Sequence, residues 1–372
     1  GPYSVDEGSS VTLSATGFDV AGAADPLTYA WDLDNNGSFE TPGQSVSFNG
    51  IDGPSTHTVN VQVNDGDGGI AVDSATVTVN NVDPTIVNTF QVAPIPEASV
   101  STSGNLVAQA TDPAGSNDPL TFDFDCDNNG SYETPSNPST SAADCYFDDN
   151  GSYTVGIRVT DGDGGQAIGS VIAIVDNVSP TAFIPNVGPV DEGSPAAITF
   201  DAEFDPSVAD TTAGFHYSVA CDGLASSLAG SYAAAGTSDS VNCVYGDNGT
   251  YTVMGRIFDK DDGSNDYSAT VTVINVDPVV TATGDTIDEA GTATVSGTIT
   301  DPGFLDTFTV VIDWGPGEGS TTLSLGAGAT TYSASHQYID DDPTATLSDD
   351  YGISVTVTDD DGGVGTASTV VT

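Results

Sequence analysis

Asn-Val-Asp-Pro or Asn-Val-Ser-Pro ends at Pro84, Pro180 and Pro278, and an acidic, glycine-rich turn opens at Asp65, Asp161, Asp259 and Asp359. These two independent markers step along the chain together at intervals of roughly 100 residues, which makes the chain a tandem repeat. Its 372 residues divide into four copies, 1–83, 84–179, 180–277 and 278–372. Each has about the length of an immunoglobulin-like sandwich, ~100 residues. The first copy lacks the residues that should precede Gly1, and the last stops at Thr372, short of its own Asn-Val-Asp-Pro. We therefore expect a piece of something longer, or ends completed by neighbouring molecules.

The stretch Asp148–Gly165 shows how each copy is built. Tyr153, Val155, Ile157 and Val159 alternate with Thr154, Gly156, Arg158 and Thr160, between two turns rich in Asp, Asn and Gly. Period-two alternation marks a half-buried strand. Elsewhere apolar runs are short, turn residues abound and no long stretch repeats at helical spacing, so the chain reads as all-β. The expected fold is four tandem immunoglobulin-like β-sandwich domains forming an extended rod.

The 54 acids face only Lys260, Arg158 and Arg256, a formal charge of −51. Nucleic acid and anionic membranes need a basic surface and are excluded as partners. No run of about 18 apolar residues is present, so no membrane insertion is predicted. A secretory leader is absent, which says nothing in a chain that begins inside a repeat. So many carboxylates must be screened by salt or neutralised by cations. An even spread would suit a solvated, salt-adapted surface. Clustering at turns instead favours Ca²⁺ held by ordered loops.

Further motifs recur in a fixed order: Trp31-Asp32-Leu33-Asp34 and Ile312-Asp313-Trp314-Gly315, then His336-Gln337-Tyr338, then Gly151–Val155 and Gly249–Val253. Together they resemble the PKD family of extracellular immunoglobulin-like domains, across essentially the whole chain. The third copy departs most, with Val219-Ala220-Cys221-Asp222 where the Trp-Asp signature should lie. The resemblance implies a seven-strand sandwich and extracellular or cell-surface display, and it does not imply catalysis.

In such a sandwich, turns alternate between two ends, and the trailing end of one copy faces the leading end of the next. Carboxylates would then surround each linker, repelling unless a cation with six to eight oxygen ligands clamps them. The first junction would use Glu7, Asp32, Asp34, Asn81, Asp83, Asp112, Asp118, Asp161 and Asp163. The second would use Glu97, Asp125, Asp127, Asp148, Asn177, Asp205, Asp210, Asp259 and Asp261. The third would use Glu192, Asp247, Asn275, Asp277, Asp301, Asp306, Asp359 and Asp361. Two alternatives stay open: Ca²⁺ held within single turns, and solvated turns made of good turn formers. The turns Asp32-x-Asp34-x-Asn36-Gly37 and Asp125-x-Asp127-x-Asn129-Gly130 match the first half of an EF-hand loop. Gly43 and Ser136 stand where its bidentate Glu should be, so a true EF-hand is rejected.

Aligned copies place Leu33, Cys126, Cys221 and Trp314 at one position, and Val46, Cys145, Cys243 and His336 at another. Both partners change together, which argues for direct contact. We expect disulfides Cys126–Cys145 and Cys221–Cys243, each worth roughly 3 kcal/mol, and an oxidising compartment. Free buried thiols are the alternative, and zinc is disfavoured because no CxxC spacing occurs. Sequons begin at Asn36, Asn129, Asn150 and Asn248, where Asn-Gly also makes tight turns.

No Ser/His/Asp or Cys/His arrangement is recognisable. His57 occupies the inward position of Tyr153, Tyr251 and Tyr351 and is expected in the core. The expected function is structural: the repeat region of a surface adhesin, stalk or filament, stiffened by Ca²⁺. Its partners would be neighbouring repeats, copies of itself and an unidentified surface ligand. Spacer modules of a secreted hydrolase, and a glycan- or protein-binding module, are the alternatives.

Overall fold

In the computed structural model the chain is all-β, and residues 1–101, 105–133, 141–143, 145–339 and 348–372 are described. Ser136 lies outside them. The chain divides into two units, Gly1–Val178 and Ser179–Thr372, each with two separate hydrophobic cores.

In the first unit, one core joins Leu13, Trp31, Val46, Phe48, Val59, Val61, Val77 and Val79. These side chains come from alternate positions, as a two-layer sandwich requires. One layer runs in the order Tyr3–Asp6, Ile70–Asn80, Ser55–Asn64, Thr28–Asp32, Thr41–Pro42, and the other pairs Ser10–Ser14 with Ser45–Asn49. The Trp31 indole closes the core by donating Nε1–H to the Gly43 carbonyl at 2.9 Å. The second core repeats the plan with Val155, Ile157 and Val159 fully buried, as their alternation predicts. Its main sheet runs Thr121–Asp125, Gly151–Thr160, Gln166–Asp176, Ile95–Pro96.

The second unit holds a sheet of Val187–Asp191, Ser264–Ile274, Gly249–Phe258 and His216–Ala220 over Ile198, Phe200, Val253 and Ile257. Its other sheet is Ser320–Leu325, Phe308–Asp313, Tyr351–Asp359 and Val364–Val371, over Trp314, Val310, Ile312 and Val355.

One pairing positions the acids. In the first three cores a short early strand runs parallel to the last strand, with Val5 opposite Val79, Ile95 opposite Val175 and Val190 opposite Val273. The acidic residue that follows is thereby pinned beside the end of that last strand. Glu7 N–H donates to Asn80 O at 3.1 Å, Glu97 N–H to Asp176 O at 3.0 Å, and Glu192 N–H to Ile274 O at 3.1 Å.

The aligned contact position is filled in each core. Cys126–Cys145 and Cys221–Cys243 are disulfides with Cα atoms 5.4 and 5.6 Å apart. Trp314 stacks on His336 at 5.1 Å, and Leu33 packs on the core containing Val46.

One expectation is corrected. His57 is exposed rather than in the core: its ring leans on Phe48 at 5.4 Å and its Nε2 meets Ser55 Oγ at 3.0 Å. The imidazole is shorter than the phenols of Tyr153 and Tyr251, which reach back to the Asp149 and Asp247 carbonyls. Asp210 is carried by a short helix, Val208–Ala213, capped by Ser207.

Candidate metal centres

In Gly1–Val178 the trailing end of the first repeat meets the leading end of the second. Glu7 is 1 % exposed, and its carboxylate accepts N–H bonds from Gly53 and from Val82 in the linker, both at 2.9 Å. Glu7, Asp52 and Asp118 each place a carboxylate oxygen within 4.8 Å of the others, as do Asp112, Asp118 and Asp161. Asp118 thus belongs to both groups. Asn81 reaches across to Asp161 at 3.2 Å, and Asp83 accepts from Gln166 N at 3.3 Å. Asp163 stands exposed at the rim. Burial raises the Asp118 pKa against a hydrogen bond from Gly162 N, and the charges of Asp161, Asp112 and Asp163 add to the rise.

The same geometry recurs within Ser179–Thr372. Glu192 accepts from Val276 N in the linker at 2.8 Å. Asn275 reaches Asp359 at 3.0 Å, and Asp277 accepts from Val364 N at 3.2 Å. Asp306, 1 % exposed, is raised to about 7 by burial and then by Glu192, Asp301, Asp247 and Asp359. Glu192 is raised by burial, against the Val276 bond, and by Asp301, Asp359 and Asp247. Asp361 is raised by burial and by Asp247, against a bond from Asn248.

Close approach builds this end. Gly193 has φ +66°, and a Cβ there would lie 2.2 Å from the Pro302 carbonyl oxygen; a Cβ at Gly8 would meet Pro113 in the same way. At Gly246 a Cβ would fall 2.4 Å from the Phe304 ring, and Leu305 N–H donates to the Gly246 carbonyl at 3.0 Å.

Residues predicted around the second linker fall in both units. In the first, Glu97 accepts from Val178 N at 2.6 Å and Asn150 N at 3.0 Å, while Asp148 turns to the Tyr146 hydroxyl at 3.1 Å. Asn177 is half-buried in the linker. In the second, Asp205, Asp210 and Asp259 are buried together, with Lys260 Nζ 3.0 Å from Asp210. Burial raises Asp205 to about 6, against a bond from Ser207 N and with Asp210 and Asp259 adding repulsion. Asp261 is exposed and contacts Lys260.

The turns at Asp32 and Asp125 do not belong to the junction ends. Asp32 pairs with Asn60, and Asp125 with Gly156, each five residues along its strand from the start at Ser55 or Gly151. At ~3.4 Å per residue that is roughly 17 Å up the sheet. Asp32 and Asp34 group instead with Glu40, and Asp125 and Asp127 with Glu133. These turns close on themselves. Asp32 accepts from Asn36 N and Gly37 N, both at 3.0 Å, and Asp125 from Asn129 N at 3.0 Å and Gly130 N at 2.8 Å. Burial pushes the Asp32 pKa up, but the Gly37 and Asn36 bonds outweigh it and hold it low.

Asp52, Glu40 and Glu133 are grouped in this way but absent from the predicted sets. Asp52 takes the place that Asp149 has in the second repeat, since Gly53 N bonds Glu7 as Asn150 N bonds Glu97. Glu40 and Glu133 sit at the ninth loop position rather than the twelfth.

The donor set at both described junctions fits a hard cation. Asp52 Oδ1, Asn81 Oδ1, Asp112 Oδ2 and Asp118 Oδ2 are buried without a hydrogen-bond partner. So are Glu192 Oε2, Asn275 Oδ1, Asp301 Oδ2 and both oxygens of Asp306. Unpaired buried carboxylates cost several kcal/mol each. Oxygen-only carboxylate and amide donors are what Ca²⁺ takes, at 2.3–2.6 Å in flexible geometry.

No family model matches the chain, and no curated protein matches it. Among solved structures it is similar to immunoglobulin domains 1–5 of Sidekick-1, at 12 % identity over 99 % of this chain and 78 % of that one, TM-score 0.35. It is also similar to extracellular cadherin domains 1–5 of protocadherin Gamma B2 (14 %, 99 % and 78 %, TM-score 0.29). A third is Drosophila N-cadherin EC1-4 (14 %, 95 % and 93 %, TM-score 0.25). All are tandem all-β ectodomains. The fold class of the present chain rests on its own strand order and pairing.

Proposed function

We propose that this chain is a structural repeat region of an extracellular surface adhesin, stalk or filament, with PKD-like repeats bounded as the sequence markers divide them. Ca²⁺ at the junction inside each unit would stiffen the linker. One observation carries the reading: buried carboxylate oxygens from two consecutive repeats face one another without hydrogen-bond partners. Glu7, Asp52, Asp112, Asp118 and Asp161 would hold the ions of the first junction, and Glu192, Asp301, Asp306 and Asp359 those of the other. When bound, Ca²⁺ would supply the positive charge that these carboxylates lack, and their oxygens would coordinate it. The residues supply placement, because Glu7 and Glu192 also grip the linker backbone at Val82 and Val276. The turns at Asp32 and Asp125 satisfy their own oxygens and are secondary.

The same reading makes the chain non-enzymatic. Its histidines are engaged structurally: His216 stacks on Tyr232 at 3.7 Å, and His336 on Trp314 with Glu318 at 2.8 Å. Self-association and an extracellular location go with it. Spacer modules of a secreted hydrolase would share the same metal chemistry and differ in the neighbouring sequence.

The test is thermal unfolding from chelator to about 10 mM Ca²⁺ at fixed ionic strength. With Kd near 10⁻⁴ M, each ion contributes ~2.7 kcal/mol at 10 mM. The melting temperature should climb across that range. If Na⁺ at matched ionic strength raises it equally, the acids form a salt-adapted surface and the reading falls.

A further inference from the structure

The four acidic turns differ at their second residue, which is Gly66, Gly162, Lys260 or Asp360. Only the third carries a base. The Lys260 ammonium lies 3.0 Å from Asp210 Oδ1 and also contacts the Asp261 carboxylate. Asp210 is 0 % exposed on the helix Val208–Ala213, and apart from this ion pair neither of its oxygens has a partner. Asp205 Oδ2, buried beside it, has none. The counterparts of Asp210 are Asp118 and Asp306, and neither has an ion-pair partner among the described residues.

We propose that Lys260 is a tethered cation that takes the place of one Ca²⁺ ion at Asp205, Asp210 and Asp259. This rests on the Ca²⁺ reading of the junctions and extends it to the one acidic cluster with a different cation. A lysine ammonium is a compact point charge with three donors on a flexible stem, so it can reach where an ion would sit. Its single charge leaves the three carboxylates under-neutralised, and Asp205 Oδ2 keeps no hydrogen-bond partner. The consequence is a leading end that assembles with one metal fewer than those around Asp118 and Asp306. Its stability would therefore depend less on the Ca²⁺ supply.

The experiment counts Ca²⁺ bound per full-length chain by equilibrium dialysis at about 1 mM free Ca²⁺, with folding followed by circular dichroism. Lys260→Met keeps the apolar stem and removes the charge. It should bind one ion more than the wild type, and its melting temperature should drop in chelator and recover in Ca²⁺. The double variant Asp210→Asn/Lys260→Met removes both charges and should return to the wild-type count. An unchanged count in Lys260→Met overturns the proposal, as does an extra ion retained in the double variant or a Lys260→Met chain that stays unfolded at 10 mM Ca²⁺. A wild-type chain that binds no Ca²⁺ defeats the junction reading beneath it, a result distinct from a Ca²⁺-binding chain indifferent to Lys260.

Discussion

Asp306 is the most informative single residue. Its carboxyl group is raised to about 7, so between roughly pH 4 and 7 the folded chain holds a proton that the unfolded chain has released. The stability that protonated Asp306 contributes without metal is therefore fully present below about pH 4 and is lost as pH rises towards 7, on the order of 4 kcal/mol. In Ca²⁺ the slope should reverse, because protons then compete with the ion. Denaturant titrations at pH 4.5 and 7.5, with chelator and with Ca²⁺, check both signs. Asp306→Asn should be more stable than the wild type in chelator at pH 7.5 and should lose most of the Ca²⁺ response of its unit. Sequence alone could not separate Asp306 from Asp34. Both are acids in turns containing glycine, but one is stranded at a buried end and the other accepts the backbone N–H and the side-chain amide of Asn36. Which turn lies at which end depends on how far Thr28–Asp32 runs along its neighbour, a tertiary fact that a turn motif does not carry.

Strands were far more legible than ends. The alternation from Tyr153 to Val159 and the paired exchange of Cys126 and Cys145 for Leu33 and Val46 are periodic or correlated signals, and both describe cores. His57 misled because its position is periodic while its side chain is too short to reach inward. Glycines at the repeat ends carry a quieter message that alternation misses. Gly193 combines a positive φ with the Pro302 carbonyl where a Cβ would stand. Gly193→Ala should therefore push the fourth repeat away from the third. We expect a loss of about 1–3 kcal/mol in the stability of this unit, the range for strained backbone, and a right-shifted Ca²⁺ midpoint in the same melts. Gly352→Ala, whose Cβ would meet nothing, serves as the control.

Across the molecule, the proposed Ca²⁺ sites would make the order of the Asn-Val-Asp-Pro segments conditional on metal. Val82 and Val276 donate to Glu7 and Glu192, and acids crowd both, Asp52 and Asp118 beside Glu7 and Asp301, Asp359 and Asp247 beside Glu192. Without Ca²⁺ that grip faces repulsion. Limited digestion with an aspartate-directed protease should cut first at 81–84 and 275–278 in chelator, and millimolar Ca²⁺ should slow both cuts at least tenfold. Equal cutting rates, after correction for the protease's own response to Ca²⁺, would leave the linkers indifferent to metal. The disulfides near Cys126 and Cys221 should not alter this contrast, since they lie within cores rather than at the linkers.

The parallel pairing of early and last strands also bears on load. Tension applied through the chain enters the first repeat at Tyr3–Asp6 and leaves at Ile70–Asn80, which lie side by side and point the same way. Pulling them apart slides one along the other, so the hydrogen bonds between them must fail together rather than open one after another like a zip. Val187–Asp191 against Ser264–Ile274 has the same geometry. Each such repeat is thus arranged to resist being drawn out by its ends.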